Sequence, residues 1–318
     1  MSIIHSTFNS RNSDVTILGG TEPVNHKSLP ISVVLLNRGG KYYRSAYFSY
    51  LESLGLTSVI SFETTGYSYE LESLSVRYPS VKFALLNQPE TTGGMINIGI
   101  GESTYNQVLV LWNDMKLVKN SLSDSVLQNS IEKKFVSISP LFMTTKMETM
   151  PCKMVPVIEN KNLVINPEKY VRDLSPTIYP WDFAGIYNKK EFMSVGGFDI
   201  EFSDPYWQNL DFGFRCAMWG YQNVISTVFK VTYQNQTEGE VIVKNTDYSR
   251  FYLKNLAPVY RKNKIDIPFM GVFPFIFKSG KRTSESWAEY IKIKKWVRDN
   301  GSKFKQDAKS VIQDWESE

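Results

Sequence analysis

Ile31-Ser32-Val33-Val34-Leu35-Leu36, closed by Asn37-Arg38-Gly39-Gly40, is a β-rich run with no polar–apolar alternation. Such a run suits a strand covered on both faces, so it predicts a central strand of a parallel sheet. Downstream, Tyr43, Ala46, Tyr47, Tyr50, Leu51 and Leu54 recur at helical spacing, and Gly55 supplies a stop. Ser58 to Phe62 reads as a second strand ending at Glu63, and Leu71 to Tyr78 as a helix closed by Pro79. Val81 to Leu86 is a third strand, Thr92 to Glu102 a glycine-weakened helix, and Gln107 to Leu111 a fourth strand leading to Trp112-Asn113-Asp114. The order β-α-β-α-β-α-β predicts an α/β fold with a mostly parallel, doubly wound, Rossmann-like sheet. Ligands of such sheets bind beyond the C-terminal strand ends, here Asn37 to Gly40, Glu63 and Asn113-Asp114.

The second half changes character. Leu122 to Lys133 reads as a helix, Phe135 to Ser139 as a strand, and Met154 to Ile165 as a hairpin around Glu159-Asn160-Lys161-Asn162. Asp204-Pro205 predicts a helix start, an N-cap acid followed by proline at the first helical position. Leu210, Phe214, Ala217 and Met218 give that helix an apolar face, and Gly220 ends it. Phe269 to Phe277 is aromatic and flanked by Lys278, Lys281 and Arg282, and Ser284 to Arg298 reads as a basic amphipathic helix. The organisation expected is a polar, irregular leader over 1–30, one domain over 31–240 and a basic, aromatic helical extension over 241–318.

Composition excludes several classes. The two histidines, His5 and His26, both fall in the leader. A Ser-His-Asp triad or a histidine zinc site in the body of the fold is therefore excluded, and acid–base chemistry must use carboxylates or lysine. Cys152 and Cys216 match no metal spacing and predict buried, inert thiols in a reducing, cytoplasmic setting. No run reaches the roughly 18–20 apolar residues needed to cross a bilayer. From Lys244 to Glu318 there are 16 Lys and Arg against 9 Asp and Glu. That asymmetry fits a solvated helical face, or peripheral contact with the inner membrane surface. No nucleic-acid module is present, so nucleic acid is not an expected partner.

With these residues laid out, the chain resembles the family 2 glycosyltransferases, which have the GT-A fold. Four segments between Ile31 and Tyr221 carry the likeness: the first strand with Asn37-Arg38; Asn97-Ile98-Gly99-Ile100; Leu109 to Asp114, where the family has its DxD metal motif; and a late acceptor-side set. That set is Gly185-Ile186-Tyr187, Gly196-Gly197-Phe198-Asp199, Asp211 with Arg215, and Gly220-Tyr221. The resemblance implies an inverting transfer from a nucleotide-sugar donor to a glycan or lipid-linked acceptor, with a nucleotide-binding half over 31–115 and an acceptor half over 116–240. The chain departs from the pattern twice. Trp112 replaces the first acid of DxD, and Gln208-Asn209 replaces an acidic pair whose aspartate is commonly the base in the family. An amide cannot take a proton at neutral pH.

The resemblance implies a divalent metal, Mn2+ or Mg2+, on Asp114, with Asn113 assisting; a loop-capping aspartate is the plainer reading. It implies nucleotide contacts from Asn37, Arg38, Glu63 and Asn97, each of which also reads as an ordinary loop, surface or packing residue. The base is expected to be Asp211, then Asp204 or Asp182, with a structural ion pair to Arg215 the alternative for Asp211 and an N-cap that for Asp204. Trp181, Tyr206 and Trp207, with Gln208 and Asn209, would line the acceptor pocket, and the aromatics read equally as core. The alternative to an enzyme is a catalytically degenerate nucleotide- or sugar-binding protein on the same scaffold.

Overall fold

Among the described residues, the first half is built from Val15–Gly19 (β1), Ile31–Leu36 (β2), Arg44–Ser53 (α1), Ser58–Glu63 (β3), Leu71–Arg77 (α2), Lys82–Leu86 (β4), Thr92–Glu102 (α3) and Gln107–Trp112 (β5). The computed structural model describes residues 15–21, 29–38, 44–63, 70–160, 162–235, 245–268 and 283–316. β4, β3, β2 and β5 lie side by side and parallel. β2, β3 and β5 are buried at every position, which is why their sequences do not alternate. β1 is a correction, because it lies in the stretch expected to be an irregular leader. It pairs antiparallel with β4 as an edge strand, half exposed, and so carries only a short mixed sequence.

The glycines of α3 are contact points. A Cβ at Gly99 would stand 2.6 Å from Val34, and one at Gly93 would stand 2.7 Å from Gln208. Close packing on β2 and on the later helix offsets the weak helical propensity. Thr91 caps α3 by accepting from the Gly94 N–H at 3.0 Å.

The second half adds Met115–Leu117 (β6), Asp124–Glu132 (α4), Ser137–Met143 (β7), Lys153–Glu159 (β8), Asn162–Glu168 (β9), Ser175–Pro176 (β10), Gly185–Asn188 (β11), Lys189–Val195 (α5), Pro205–Met218 (α6) and Asn223–Tyr233 (β12). β11 inserts antiparallel between β5 and β7, and β12 runs parallel to β7. β7 was expected to stop at Ser139 but continues through Pro140. The β12 register shifts between Ser226 and Lys230, opposite Pro140 and Leu141, so a bulge absorbs the missing proline donor. The far end of β12 then pairs with β6, setting Tyr233 opposite Met115, the residue after Asp114.

The C-terminal segment shares the main core. Thr246–Phe251 (α7) runs into a π-helical turn at Tyr252–Leu256, followed by the hairpin Val259–Arg261 (β13) and Lys264–Asp266 (β14) and by helices Thr283–Asp299 and Ala308–Glu316. Phe251, Leu253, Val297, Phe304 and Val311 join the same buried cluster as Val33 and Leu109. Phe269 to Phe277, with Lys278, Lys281 and Arg282, lies outside the described residues, as do His5, His26, Gly39 and Gly40. Among the described residues no helix is long and apolar enough to cross a membrane. Cys152 and Cys216 are free and buried, and burial pushes their thiols up to about 11 and about 12.

Candidate active site at the strand ends

Arg38 leaves the C-terminal end of β2 and meets the turn after β5. Its backbone N–H donates to Asn113 Oδ1 at 3.2 Å, while the Asn113 N–H donates to the Leu36 carbonyl at 2.9 Å. Its side chain donates to both oxygens of Asp114, from Nε and Nη2, each at 3.0 Å. From Nη1 it reaches Asp182 at 2.8 Å. The guanidinium lies over the Trp112 ring at 4.5 Å and near Tyr233 at 5.8 Å. Trp112 Nε1 donates to the Asp182 carbonyl at 2.9 Å, Tyr233 donates its hydroxyl proton to Asp182 Oδ2 at 2.9 Å, and Trp181 Nε1 donates to the Tyr233 oxygen at 3.1 Å.

Asp182 sits at φ +51° and Phe183 at φ +59°. Two successive non-glycine residues in the left-handed region are strained, and the hydrogen bonds around Asp182 hold them there. The side chains of Arg38, Asp114 and Asp182 are 32%, 18% and 20% exposed, so the cluster opens to solvent on one side. Burial raises the Asp182 carboxyl above the usual range, with Arg38 and Tyr233 opposing and Asp114 adding to the rise. Burial would lower the Arg38 guanidinium, but Asp182 and Asp114 outweigh it, so Arg38 stays charged.

This geometry does not fit the cation expected on Asp114. Both of its oxygens are engaged by Arg38, and the neighbouring ligand position of the motif is an indole. Among the described residues no group of three or more His, Cys, Asp or Glu is placed to hold a metal ion.

Several expected site residues serve the scaffold. Asp211 is fully buried: Oδ2 accepts from Arg215 at 3.1 Å and Lys254 at 2.9 Å, and Oδ1 from Asn255 at 2.8 Å. It has no path to an acceptor, so its place is structural. Asp204 caps α6, accepting from the Tyr206 and Trp207 N–H groups at 3.0 and 3.3 Å, while its other oxygen accepts from Asn245 at 2.9 Å. Gln208 accepts from the Gly93 N–H at 2.8 Å and donates to Thr91 and to the Asp199 carbonyl, tying α6 to α3. Asn209 is buried, donates to the Pro180 carbonyl at 2.8 Å and leaves its own Oδ1 buried with no partner among the described residues. Glu63 is buried against Arg44 at 2.8 Å and accepts from Ser61 at 2.7 Å, and burial raises its carboxyl. Asn37 donates to the Phe62 carbonyl and to Ser61, stapling β2 to β3.

Asn97 turns inward rather than toward a nucleotide. It accepts from the Phe198 N–H and donates to the Phe198 carbonyl, both at 2.8 Å, clamping the Gly196-Gly197 turn. Asn97→Ala strands two buried backbone groups, each worth about 1–3 kcal/mol, so a loss of about 2–6 kcal/mol in urea denaturation is the expected outcome. A loss below about 1 kcal/mol would show that the clamp carries no weight.

The expected acceptor residues separate. Trp181 belongs to the Asp182 cluster. Tyr206 and Trp207 line a cleft of about 340 Å3 with Tyr248 and with Asn160 and Asn162 of the β8–β9 turn. Tyr233 was missed entirely. Its only sequence signal is a place at the end of a β-branched run, and that run reaches the neighbourhood of Asp114 by setting Tyr233 opposite Met115, 118 residues back in the chain.

No protein-family model matches the chain, and no curated protein matches it in sequence. Among solved structures the chain is similar to GalNAc-T7 crystallised with UDP, GalNAc and Mn2+, at a TM-score of 0.57 and 12% identity over 73% of this chain and 49% of that one. The chain thus spans about half the length of that protein. It is also similar to residues 1-349 of S. aureus TarS in complex with UDP-GlcNAc, at a TM-score of 0.46 and 13% identity over 85% of this chain and 72% of that one. The order of strands and the superposition on GalNAc-T7 make this a GT-A glycosyltransferase fold.

Proposed function

We propose that the chain is a glycosyltransferase. It moves a sugar from a nucleotide-diphosphate donor, UDP-linked in the first instance, to a hydroxyl of a glycan or lipid-linked acceptor. The observation that carries this reading is the cluster of Arg38, Asp114 and Asp182 at the C-terminal lip of the parallel sheet. That lip is where open α/β sheets take their ligands, and the GalNAc-T7 structure, which holds UDP, supports a nucleotide-sugar donor.

In the reaction an acceptor oxygen forms a bond to the anomeric carbon, with inversion. The bond from that carbon to the diphosphate oxygen breaks, its electron pair leaves on the diphosphate, and the acceptor proton passes to Asp182. Asp182 suits the role better than the other candidates. Its carboxylate is part-exposed, whereas Asp211 is sealed and Asp204 caps a helix. Burial makes it a stronger base than an ordinary aspartate. Tyr233, whose phenol is pushed up by burial and then by Asp182, stays protonated and orients the carboxylate.

A second reading, a binding protein without turnover, is favoured by Gln208 and Asn209 standing where the resembled family has acids. Incubation with UDP-glucose, UDP-N-acetylglucosamine, UDP-galactose and GDP-mannose separates the two. The transferase reading expects a raised melting temperature with one donor and slow release of its nucleotide. A raised melting temperature with no release over days supports the binding protein, and no shift with any donor ends both readings.

A further inference from the structure

We propose that Arg38 is the built-in cation of this site, and that it holds the donor diphosphate where a divalent metal ion is expected. This rests on the glycosyltransferase reading and states how that site binds its donor. Mg2+ and Mn2+ need free oxygen ligands, Mg2+ at about 2.0–2.1 Å in near-octahedral order. Both Asp114 oxygens already accept from Arg38 at 3.0 Å. A metal on Asp114 would have to share the carboxylate with, and be repelled by, a bidentate guanidinium that Asp182 and Trp112 also hold.

The substitution at Trp112 belongs to the same exchange. Replacing a carboxylate by an indole removes a metal ligand and supplies a flat face for a guanidinium, here at 4.5 Å. Asn113 fixes the cation from the other end through the Arg38 backbone N–H. The remaining valence is suited to phosphate. Arginine has five N–H donors in a planar fork. Nε and one hydrogen on each terminal nitrogen are spent on Asp114 and Asp182, leaving two N–H groups unspent among the described residues, on a side chain that is 32% exposed.

The charges also work in the direction of reaction. With both carboxylates ionised, the three side chains sum to one negative charge, so the resting cluster holds a donor modestly. When Asp182 takes the acceptor proton, the cluster becomes neutral. At that moment the leaving diphosphate gains charge, and the Arg38 N–H groups hold it more strongly. Stabilisation that grows toward the transition state accelerates the chemical step.

The test is UDP titrated calorimetrically into the full chain, once with excess EDTA and once with Mn2+. The expected result is the same dissociation constant within about twofold, and a roughly 10- to 100-fold loss in Arg38→Ala, the range of a lost charge-assisted hydrogen bond. Thermal melts establish that the variant is folded, and the wild-type comparison needs no variant at all. Binding more than about tenfold tighter with Mn2+ than with EDTA overturns the proposal and leaves the glycosyltransferase reading standing. If neither UDP nor GDP binds under either condition, both fall. A folded Arg38→Ala that binds UDP as wild type in EDTA also overturns the proposal.

Discussion

Asp211→Ala is expected to lower the free energy of unfolding by about 3–5 kcal/mol, the cost of breaking a buried ion cluster by removing one partner. Asp211 and Asp199 are the buried anions facing Lys254, Arg215 and Arg250. Without Asp211, Arg215 keeps the Val195 and Gly197 carbonyls at 2.8 Å but loses this carboxylate, and Lys254 keeps Asp199 but loses one of its two carboxylate contacts. Domains are commonly stable by about 5–15 kcal/mol, so this single change threatens folding at 37 °C. The cluster also predicts acid sensitivity. Burial would raise the Asp199 carboxyl, but Lys254 and Arg250 outweigh it and hold it well below the usual carboxylate range. A carboxyl depressed in the folded state contributes stability above its unfolded value near 3.9, and that contribution is lost as pH falls below it. Urea denaturation of wild type and Asp211→Ala between pH 7 and pH 3 measures both effects. A variant that unfolds with the wild-type midpoint yet loses turnover would return Asp211 to the mechanism.

The parallel half of the sheet was legible because its signals are local. Ile31 to Leu36 and Gln107 to Leu111 are apolar on both faces, and the helices between them carry their own stops at Gly55 and Pro79. The Asp204-Pro205 start was equally local and is the cap of α6. What was not legible depends on distant partners. Asp211 looked available as the acid left in its motif, and Arg215, one turn on, was the only sign of a structural role. Lys254 and Asn255, which complete its enclosure, sit in the π-helical turn, 43 and 44 residues away. A π turn has no plain sequence signature, and it re-aims two polar side chains inward. Arg38 and Asp114 were each marked as site residues, but nothing in either segment says that they bind each other across 76 positions. Asn97 likewise resembled a nucleotide contact until its partner, the Phe198 backbone 101 residues on, showed it to be a clamp.

Asp182→Asn is the substitution with the largest expected effect on activity. General-base catalysis commonly contributes about 10²–10⁴-fold, and an amide supplies none of it, so kcat should fall by that order. Asparagine is the fitting replacement because it tolerates the left-handed backbone that position 182 requires, at φ +51°. It can also still accept a hydrogen bond from Tyr233. Donor affinity should move the other way. Removing one carboxylate from the Arg38 cluster takes its charge from one negative to zero, so UDP should bind as wild type or more tightly while turnover collapses. A merely structural aspartate would not give that split, since loosening the site weakens binding and turnover together. The pH profile supplies an independent reading. The base works ionised, so kcat/KM is lost as pH falls through its pKa. Because burial raises the Asp182 carboxyl, that loss should begin at a higher pH than the value near 3.9 of an unperturbed aspartate would give. Unchanged kcat in a folded Asp182→Asn would remove Asp182 from the chemistry, whereas a wild type that binds UDP and never turns over would, with Asp211 sealed and Asp204 bound to its cap, favour the reading in which this scaffold binds its nucleotide and transfers nothing.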